Sequence, residues 1–251
     1  MVARLLIESP AVSLSGLVKS TRVQGLRQGR LRGALGLLRR CGPQYLIYLG
    51  AVTAVSDLLG PRFGLLSVDR AAALRGIPLL ATRNVNDPSG VEFVAGRQPD
   101  ILVSAFFNQW LGESVCAVPR LSAVNIHPSL LPDYRGVDPV FHARLRGAAQ
   151  LGVSLHRISP EFDSGPLIAQ TKLAVDSRDS VMLTTARLFE CGTCLLLDRL
   201  QAVADNHAGV PQGDGGRYDS WPSPDQVNEL LASGSRLWRL GDFRAVAADL
   251  L

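Results

Sequence analysis

The sequence contains no apolar run long enough to cross a bilayer. Its longest run, from Tyr45 to Val55, falls well short of the roughly 20 residues that a membrane-spanning helix requires. The chain also has only four cysteines in 251 residues, and they are too scattered to hold a chain of this size together. We therefore expect a cytoplasmic protein without disulfides and without stable membrane insertion.

Acidic residues are absent over a long stretch near the beginning of the chain. No Asp or Glu occurs between Glu8 and Asp57, whereas the segment from Lys19 to Arg40 is rich in basic residues. Such a segment creates a local positive field that could attract a phosphate-bearing substrate or an anionic membrane surface. The ordinary alternative is a solvated helical face, and on sequence alone we favour this alternative.

The composition that is present fits one large globular domain, with 47% hydrophobic and 19% charged residues. Short apolar strands such as Ile101 to Ala105 alternate with helical patterns, the longest of which starts at Ser180 and runs to about Ala204. This alternation predicts an α/β fold whose sheet is mostly parallel and flanked by helices. We expect a catalytic domain over residues 1–206, then a linker and a short helical tail over residues 207–251.

The most informative segment begins at the end of a predicted buried strand, near Ile126, and continues beyond it. Asn125 and His127 are two residues apart on this strand, so both side chains should leave the same face of the sheet. Ligands of open α/β sheets bind beyond the carboxyl ends of strands, which is where this pair should lie. The segment continues as Pro128-Ser129-Leu130-Leu131-Pro132.

In these residues the sequence resembles the folate-dependent formyltransferase family. The Asn-x-His-x-Ser-Leu-Leu-Pro stretch is followed, about three dozen residues later, by an Asp-x-Gly-Pro loop that begins at Asp163. The resemblance implies a Rossmann-like sheet and transfer of a formyl group from 10-formyltetrahydrofolate to an amine. It also implies catalytic roles for Asn125, His127 and Asp163, and a pterin site formed by Phe106 and the loop residues Pro160, Glu161 and Phe162.

The chemistry of the residues agrees with this resemblance. When an amine attacks a formyl carbonyl, charge builds on the oxygen, and one donor aimed at that oxygen typically contributes about 10²- to 10³-fold in rate. The Asn125 amide and the His127 imidazole are suitable donors. Asp163 could orient the imidazole and help to take the proton that the amine loses. No metal is required for this reaction.

Several other residues have two interpretations each. Arg135 could bind a phosphate or carboxylate of the substrate or be an ordinary loop arginine, and we take Ser129 as a further substrate-binding candidate. His142 is expected to be a surface or packing residue. His156 could touch the site, but a satisfied core histidine is favoured. The pair Cys191 and Cys194 has redox-like spacing inside a helix, where we expect it to serve only packing.

The pattern departs from the family at its beginning. Family members start with a strand, a glycine turn and a helix, for which there is too little room before the strand that we predict from Val12 to Lys19. Either the start is truncated or the first strand is missing, which would expose a sheet edge. The region after His207 is also too short for the extra β-barrel domain of methionyl-tRNA formyltransferase, so a small amine is favoured over tRNA as the acceptor.

Two further functions compete with formyl transfer. A hydrolase would use the same three residues to cleave formyltetrahydrofolate with water in place of the amine, and a non-catalytic paralogue would bind folate without turnover. The sequence leaves open the acceptor and the oligomeric state.

Overall fold

The computed structural model describes residues 1–21, 30–55, 60–63, 65–174, 176–213 and 215–249. Helices and strands alternate over most of these ranges, which confirms the predicted α/β class. The helices are α1 (Val2–Glu8), α2 (Arg30–Gly50), α3 (Val68–Leu74), α4 (Pro88–Gly96), α5 (Glu113–Cys116), α6 (Pro139–Leu145), α7 (Val181–Asp198), α8 (Leu200–Ala204), α9 (Pro224–Ala232) and α10 (Leu240–Asp249). A π-helical turn, Ala51–Val55, continues α2, and a 3-10 turn covers Gly60–Phe63.

The described strands form one four-stranded sheet and two short pairs. The strands are β1 (Leu17–Ser20), β2 (Leu79–Thr82), β3 (Ile101–Ala105), β4 (Ser122–His127), β5 (Arg135–Gly136), β6 (Leu151–Arg157), β7 (Leu167–Leu173) and β8 (Tyr218–Asp219). The order in the large sheet is β3-β4-β6-β7, while β1 pairs with β2 and β5 pairs with β8. The pairings β1–β2, β3–β4 and β5–β8 are parallel.

The second half of the large sheet is antiparallel, so this sheet is mixed. Strand β6 runs against β4 and β7 runs against β6. Only a short loop joins β6 to β7, which leaves no room for the crossover helix that a parallel neighbour needs. The shortness of this loop is the physical reason why β7 runs antiparallel to β6.

Two predicted elements have different bounds in the structure. The strand predicted from Val12 to Lys19 is β1, Leu17–Ser20, because only these residues find a partner in β2, where Leu17 lies opposite Leu79. The long helix predicted to reach Ala204 is divided at Arg199, whose backbone angles are not helical, into α7 and α8. Helix α2 is likewise interrupted at Gly42, next to Pro43.

One hydrophobic cluster joins the sheet, helix α7 and the tail. Helix α7 packs on β4, β6 and β7, and its buried side chains include Leu188 and Leu196. Val227 and Leu230 of α9 are fully buried in the same cluster. The tail therefore shares its core with the sheet.

The basic stretch is only partly described, since Arg22 and Arg27 lie outside the described residues. Lys19 forms an ion pair with Asp69, and Arg40 donates to the hydroxyl of Ser220 at 2.9 Å. Within the described part of the chain, every helix is too short or too polar to traverse a bilayer.

Candidate active site

Four polar side chains converge at the carboxyl end of β4. Asn125 and His127 project from this strand, which lies between β3 and β6. His156 comes from β6, where it is the register partner of Asn125, and Asp163 comes from the loop between β6 and β7. The site therefore depends on the antiparallel half of the sheet as well as on the parallel half.

Asp163 is the centre of this group. Its Oδ1 lies 3.4 Å from Asn125 Nδ2, 3.4 Å from His127 Nδ1 and 3.8 Å from His156 Nε2. Its Oδ2 accepts the backbone N–H of Gly136 at 2.9 Å. One oxygen is thus fixed by the backbone, and the other faces the three side chains.

The loop that carries Asp163 has a tightly constrained backbone. Asp163 itself has a φ of 53°, a left-handed conformation that is uncommon for a residue with a side chain. Two residues later, a Cβ added to Gly165 would lie 1.9 Å from the carbonyl oxygen of Arg157, so only glycine fits there. The Asp-x-Gly spacing is therefore a steric requirement of the turn that aims the carboxylate.

Hydrogen bonds define the tautomer of His156. Its Nδ1 lies 2.7 Å from the carbonyl oxygen of Arg157, which can only accept, so Nδ1 carries the proton. Nε2 then presents a lone pair to Asn125 Nδ2 at 3.1 Å. Burial, and next the charge of His127, lower the pKa of His156 to about 4 although Asp163 opposes this shift, so the ring is neutral at pH 7.

His127 holds a different set of partners. It is only 4% exposed, and its Nε2 donates to the carbonyl oxygen of Tyr134 at 3.0 Å. Because Nε2 carries the single proton of a neutral ring, Nδ1 has only a lone pair. A hydrogen bond between Nδ1 and the Asp163 carboxylate therefore forms only when one of these two groups gains a proton. The imidazole and the carboxylate are therefore placed to hold or release a single proton between them.

The residues predicted to hold the pterin lie on two neighbouring loops. Phe106 follows β3, has a φ of 51° and is 56% exposed, and its ring meets Phe189 edge-on at 5.7 Å. Pro160, Glu161 and Phe162 are also exposed, Phe162 at 54%. The indole of Trp110 donates to the Pro160 carbonyl at 3.1 Å and so joins the two loops.

The two predicted substrate-binding residues are placed differently. Arg135 is half-buried and donates through Nη2 to Gln212 Oε1 at 2.8 Å. Gln212 in turn donates to the carbonyl oxygens of Asp163 and Gly165, so Arg135 reaches the Asp163 loop through one intermediary. Ser129 is buried, and its hydroxyl donates to the carbonyl oxygen of Asp133 within its own turn.

The sequence favours a core position for His156 over a contact with the site, and it gives no signal for Gln212. His156 was expected to be a core histidine, and it is indeed 2% exposed, but it also contacts Asn125. The register between β6 and β7 shifts between Leu155 and His156, where Ile168 of β7 is left without a register partner, and bulges of this kind are over-represented next to active sites. Gln212 lies in a segment rich in glycine and proline, where no motif marks it.

The remaining candidates lie elsewhere. His142 on α6 is buried, its Nε2 donates to the carbonyl oxygen of Ser220 at 2.9 Å, and burial lowers its pKa. Cys191 and Cys194 are free thiols on α7 whose pKa values are raised, first by burial. Among the residues that the structure describes, no group of three or more His, Cys, Asp and Glu side chains is placed to hold a metal ion.

Comparison with known proteins gives a consistent result. The sequence profile of a family described as formyl transferase matches residues 67–200. The chain is 41% identical over 139 residues to methionyl-tRNA formyltransferase of Roseiflexus sp. (strain RS-1), a match that covers 55% of this chain and 42% of the relative. It is 30% identical over 150 residues to the enzyme of the same name from Thermotoga maritima, covering 60% and 48%. The chain thus spans less than half the length of these relatives.

Solved structures share the fold at lower identity. The formyltransferase PseJ from Anoxybacillus kamchatkensis, in complex with UDP-4,6-dideoxy-4-formamido-L-AltNAc and tetrahydrofolate, aligns with a TM-score of 0.51 at 21% identity over 65% of this chain and 83% of that chain. A sugar N-formyltransferase from Shewanella sp FDAARGOS_354 aligns with a TM-score of 0.50 at 16% identity over 81% and 75%. At these identities the comparison concerns the fold alone.

Proposed function

The chain belongs to the formyl transferase family, and from that premise we propose that it transfers a formyl group from a 10-formyltetrahydrofolate-type donor to an amino group. The observation that carries the proposal is the convergence of Asn125, His127 and Asp163 within 3.4 Å at the end of one strand. In the reaction a bond forms between the amine nitrogen and the formyl carbon, the bond from that carbon to the folate nitrogen breaks, and one proton passes from the amine to the folate nitrogen.

We assign the Asn125 amide to the formyl oxygen. Its Nδ2 has two protons, one of which His156 accepts at 3.1 Å. The second proton faces Asp163 Oδ1, and the distance from Nδ2 to Oδ1 is 3.4 Å, which is long for a hydrogen bond. This proton can therefore be donated to a substrate oxygen with little loss of hydrogen-bond energy. His156 is thereby a positioning residue, since it acts through Asn125.

We assign the proton transfer to His127 and Asp163. The His127 Nδ1 and Asp163 Oδ1 atoms, 3.4 Å apart, form a hydrogen bond only when the pair holds an additional proton. This arrangement suits a pair that takes a proton from the amine and returns it to the leaving nitrogen. Contacts of this kind are commonly long without substrate and shorten in the reacting complex.

The exposed aromatic residues support a flat ring ligand beside this group. Phe106 and Phe162 present half of their surface or more, and the Trp110 bond to Pro160 fixes the two loops that carry them. Aromatic rings of this kind stack on a planar heterocycle such as a pterin. Arg135, held through Gln212, and Ser129 stay proposed contacts of the acceptor.

For the acceptor, the two curated relatives favour the amino group of methionyl-tRNA, because their names describe that reaction at 30% to 41% identity. The small amine that we expect from the sequence is the competing candidate. Both acceptors would use the same three catalytic side chains, so the site does not distinguish them.

Release of tetrahydrofolate tests the proposal and the acceptor together. The chain is incubated with 10-formyltetrahydrofolate and either methionyl-tRNA, a nucleotide-linked amino sugar, glycinamide ribonucleotide or no acceptor. Release that requires an amine supports formyl transfer, and the acceptor giving the highest kcat/KM identifies the substrate class. Equal release without any acceptor would instead indicate the hydrolase, and binding of folate without release would indicate the non-catalytic paralogue.

A further inference from the structure

Residues 134–136 form a short segment whose backbone orients two of the proposed catalytic side chains. The carbonyl oxygen of Tyr134 accepts from His127 Nε2 at 3.0 Å. Two residues later, the N–H of Gly136 donates to Asp163 Oδ2 at 2.9 Å. A displacement of segment 134–136 would therefore change the positions of the imidazole and of the carboxylate together.

The backbone of segment 134–136 is not one that the chain adopts readily by itself. Tyr134 has a φ of 58°, in the left-handed region that is unfavourable for a residue with a side chain. Conformations of this kind persist only where the surrounding structure fixes them. The contacts around the segment therefore decide whether it keeps its place.

The first of these contacts is the pairing of β5 with strand β8 of the tail. The N–H of Arg135 donates to the carbonyl oxygen of Arg217 at 3.1 Å. The N–H of Val137 donates to the carbonyl oxygen of Asp219 at 2.8 Å, and a Cβ on Gly136 would lie 2.3 Å from that same oxygen. The two backbones are thus very close, but each strand has only two residues, so the ladder is short.

An ion pair connects β8 to the segment a second time. The guanidinium of Arg146, which follows α6, donates to both oxygens of the Asp219 carboxylate, with Nη1 at 2.7 Å from Oδ2. The same guanidinium lies over the ring of Tyr134, with Cζ 5.3 Å from the ring centroid. A planar guanidinium can form a bidentate ion pair and stack on a ring at once, which an ammonium group cannot. Arg146 thus contacts both the segment and the strand that pairs with it.

Asp219 is ionised in this arrangement. It is only 3% exposed, and burial by itself would raise the pKa of its carboxyl. The hydrogen bonds from Arg146, and the charges of His142, Arg146 and Arg217, outweigh burial and lower this pKa. Arg217 approaches Oδ1 at 3.3 Å with a side chain that is 73% exposed, so Arg146 is the better fixed partner. Removing one partner of such a buried pair leaves the other charge uncompensated.

The Tyr134 carbonyl also selects the tautomer of His127. With this acceptor beside Nε2, the ring keeps its proton there, and Nδ1 faces Asp163 with a lone pair. Without the acceptor, the proton is better placed on Nδ1, where it forms a hydrogen bond with Asp163. In that tautomer Nδ1 can no longer take a proton from the amine.

We propose that Arg146 and Asp219 are positioning residues for formyl transfer. Their ion pair fixes segment 134–136, and the segment in turn fixes the tautomer of His127 and the direction of the Asp163 carboxylate. Both residues act through the backbone of the segment rather than on the reacting atoms. The inference rests on the proposed function and extends it to a strand of the tail.

Steady-state kinetics measure the effect on the reaction. We expect Asp219→Asn and Arg146→Met each to lower kcat at least about 10-fold, because a small displacement of a catalytic group is costly. The KM for 10-formyltetrahydrofolate should change less than about threefold, since the proposed pterin contacts lie on other loops. The double variant should have a kcat within about twofold of the lower single variant, because both substitutions remove one contact.

Arg146→Lys is the conservative variant. It restores a positive charge opposite Asp219 without the planar fork or the stacking on Tyr134. Its kcat should therefore lie between that of Arg146→Met and that of the native chain.

The matched control is the ion pair between Arg187 and Asp179. It joins helix α7 to the turn before it, and its side chains are 35% and 13% exposed, compared with 30% and 3% for Arg146 and Asp219. Asp179→Asn removes a comparable ion pair away from segment 134–136, so its kcat should stay within about twofold of the native value. This comparison separates a loss of position from a general loss of stability.

Nitrogen-15 NMR of the four histidines reports the tautomer without any turnover. The His127→Ala spectrum identifies the signals of His127, and the exposed His207 serves as the reference. In Asp219→Asn and Arg146→Met, the ratio of the Nδ1–H to the Nε2–H tautomer of His127 should rise at least about 10-fold, as expected for the loss of one hydrogen bond. His142 should also respond to Asp219→Asn, because the charge of Asp219 acts on it.

A native His127 tautomer in the folded Asp219→Asn and Arg146→Met variants overturns the proposal, whatever their kcat. An equal loss of kcat in Asp179→Asn overturns it as well. If Asp219→Asn does not fold, Arg146→Met and Arg146→Lys provide the test, because the Arg146 side chain is 30% exposed. A native chain that releases no tetrahydrofolate contradicts the proposed function, whereas the nitrogen-15 comparison still tests the positioning.

Discussion

Asp163 shows how a single residue can determine the geometry of the whole site. Its left-handed backbone, with a φ of 53°, is unfavourable for a residue with a side chain and is kept because its surroundings fix it. Gly136 holds Oδ2, and Gln212 holds the carbonyl oxygen. The remaining oxygen, Oδ1, can then face Asn125, His127 and His156 at the same time.

The role proposed for His127 can be tested by removing its ring. We expect His127→Ala to reduce kcat for formyl transfer by about two orders of magnitude or more, because both the donor and the proton carrier are lost. Folate binding, measured by fluorescence titration, should change less than about threefold, since the predicted pterin contacts lie on other loops.

The matched control for this substitution is His207→Ala. His207 is an exposed histidine away from the cluster, so its removal should leave kcat unchanged. Identical turnover in His127→Ala and the native chain would exclude His127 from the mechanism.

His156 gives a prediction about acid stability. Its pKa of about 4 in the folded chain lies below the usual 6.5, so the unfolded chain binds the proton more tightly. The stabilisation from a neutral His156 is therefore complete above pH 6.5 and is lost as the pH falls toward 4, by on the order of 3 kcal/mol. Urea unfolding at pH 7.5, 5.5 and 4.5 measures this loss.

His156→Gln separates this titration from the hydrogen bond. Glutamine can still accept from Asn125 but does not titrate, so the variant should lose less stability between pH 6.5 and 4 than the native chain and should keep more activity than His156→Ala. Parallel pH curves for His156→Gln and the native chain would show that His156 does not cause the acid sensitivity.

The local sequence pattern predicts part of the candidate site and not the rest of it, for physical reasons. The two-residue spacing of Asn125 and His127 predicts their common face without any knowledge of neighbours. His156 lies opposite Asn125 only because β6 runs antiparallel to β4, which a prediction of a mostly parallel sheet could not supply. Gln212 reaches the site because the chain folds back toward Asp163 after 49 residues, and no local sequence pattern predicts such a long-range contact.

At the scale of elements, the loop between β6 and β7 carries Asp163, the residue on which the proposed site is centred. The loop passes so close to the end of β6 that the Gly165 position has no room for a Cβ beside the Arg157 carbonyl. The apolar runs over residues 152–158 and 166–173 predict two consecutive strands joined by a loop, and the direction of β7 follows from the shortness of that loop. Element type therefore follows from the local apolar pattern, whereas the direction of a strand depends on the length of the loop that precedes it.

Gly165→Ala should therefore damage both stability and activity. A methyl group 1.9 Å from a carbonyl oxygen forces the backbone to move, which we expect to cost about 1–3 kcal/mol in the free energy of unfolding. The displaced Asp163 should also lower kcat at least about 10-fold. Chemical denaturation and steady-state kinetics measure the two effects.

Gly213→Ala is the matched control, because a Cβ at Gly213 meets no atom within 4 Å. It should change the free energy of unfolding by less than about 0.5 kcal/mol. Similar behaviour of the two variants would show that the turn tolerates a wider range of backbone positions than its steric contacts indicate.

At the scale of the whole molecule, the tail and the sheet share one core. The predicted division into residues 1–206 and 207–251 stays a prediction, and Leu230 offers a way to test it. This side chain of α9 is 0% exposed, so Leu230→Ala should cost about 2–5 kcal/mol in a single cooperative unfolding transition.

The control is Leu240→Ala, whose side chain is 60% exposed and should contribute less than about 0.5 kcal/mol. Calorimetry distinguishes the outcomes. If calorimetry shows two unfolding transitions and Leu230→Ala lowers the melting temperature of only one, the tail unfolds independently of the sheet.

The hydrogen bonds from Gln212 to the carbonyl oxygens of Asp163 and Gly165 can form only after the ribosome has synthesised Gln212. The donor and the first of these acceptors are 49 residues apart in the chain. At a synthesis rate of about 5–20 residues per second, the ribosome adds Gln212 roughly 2 to 10 seconds after Asp163. A nascent chain released from the ribosome before that point would carry all three proposed catalytic side chains but lack the brace that holds the carboxylate toward them.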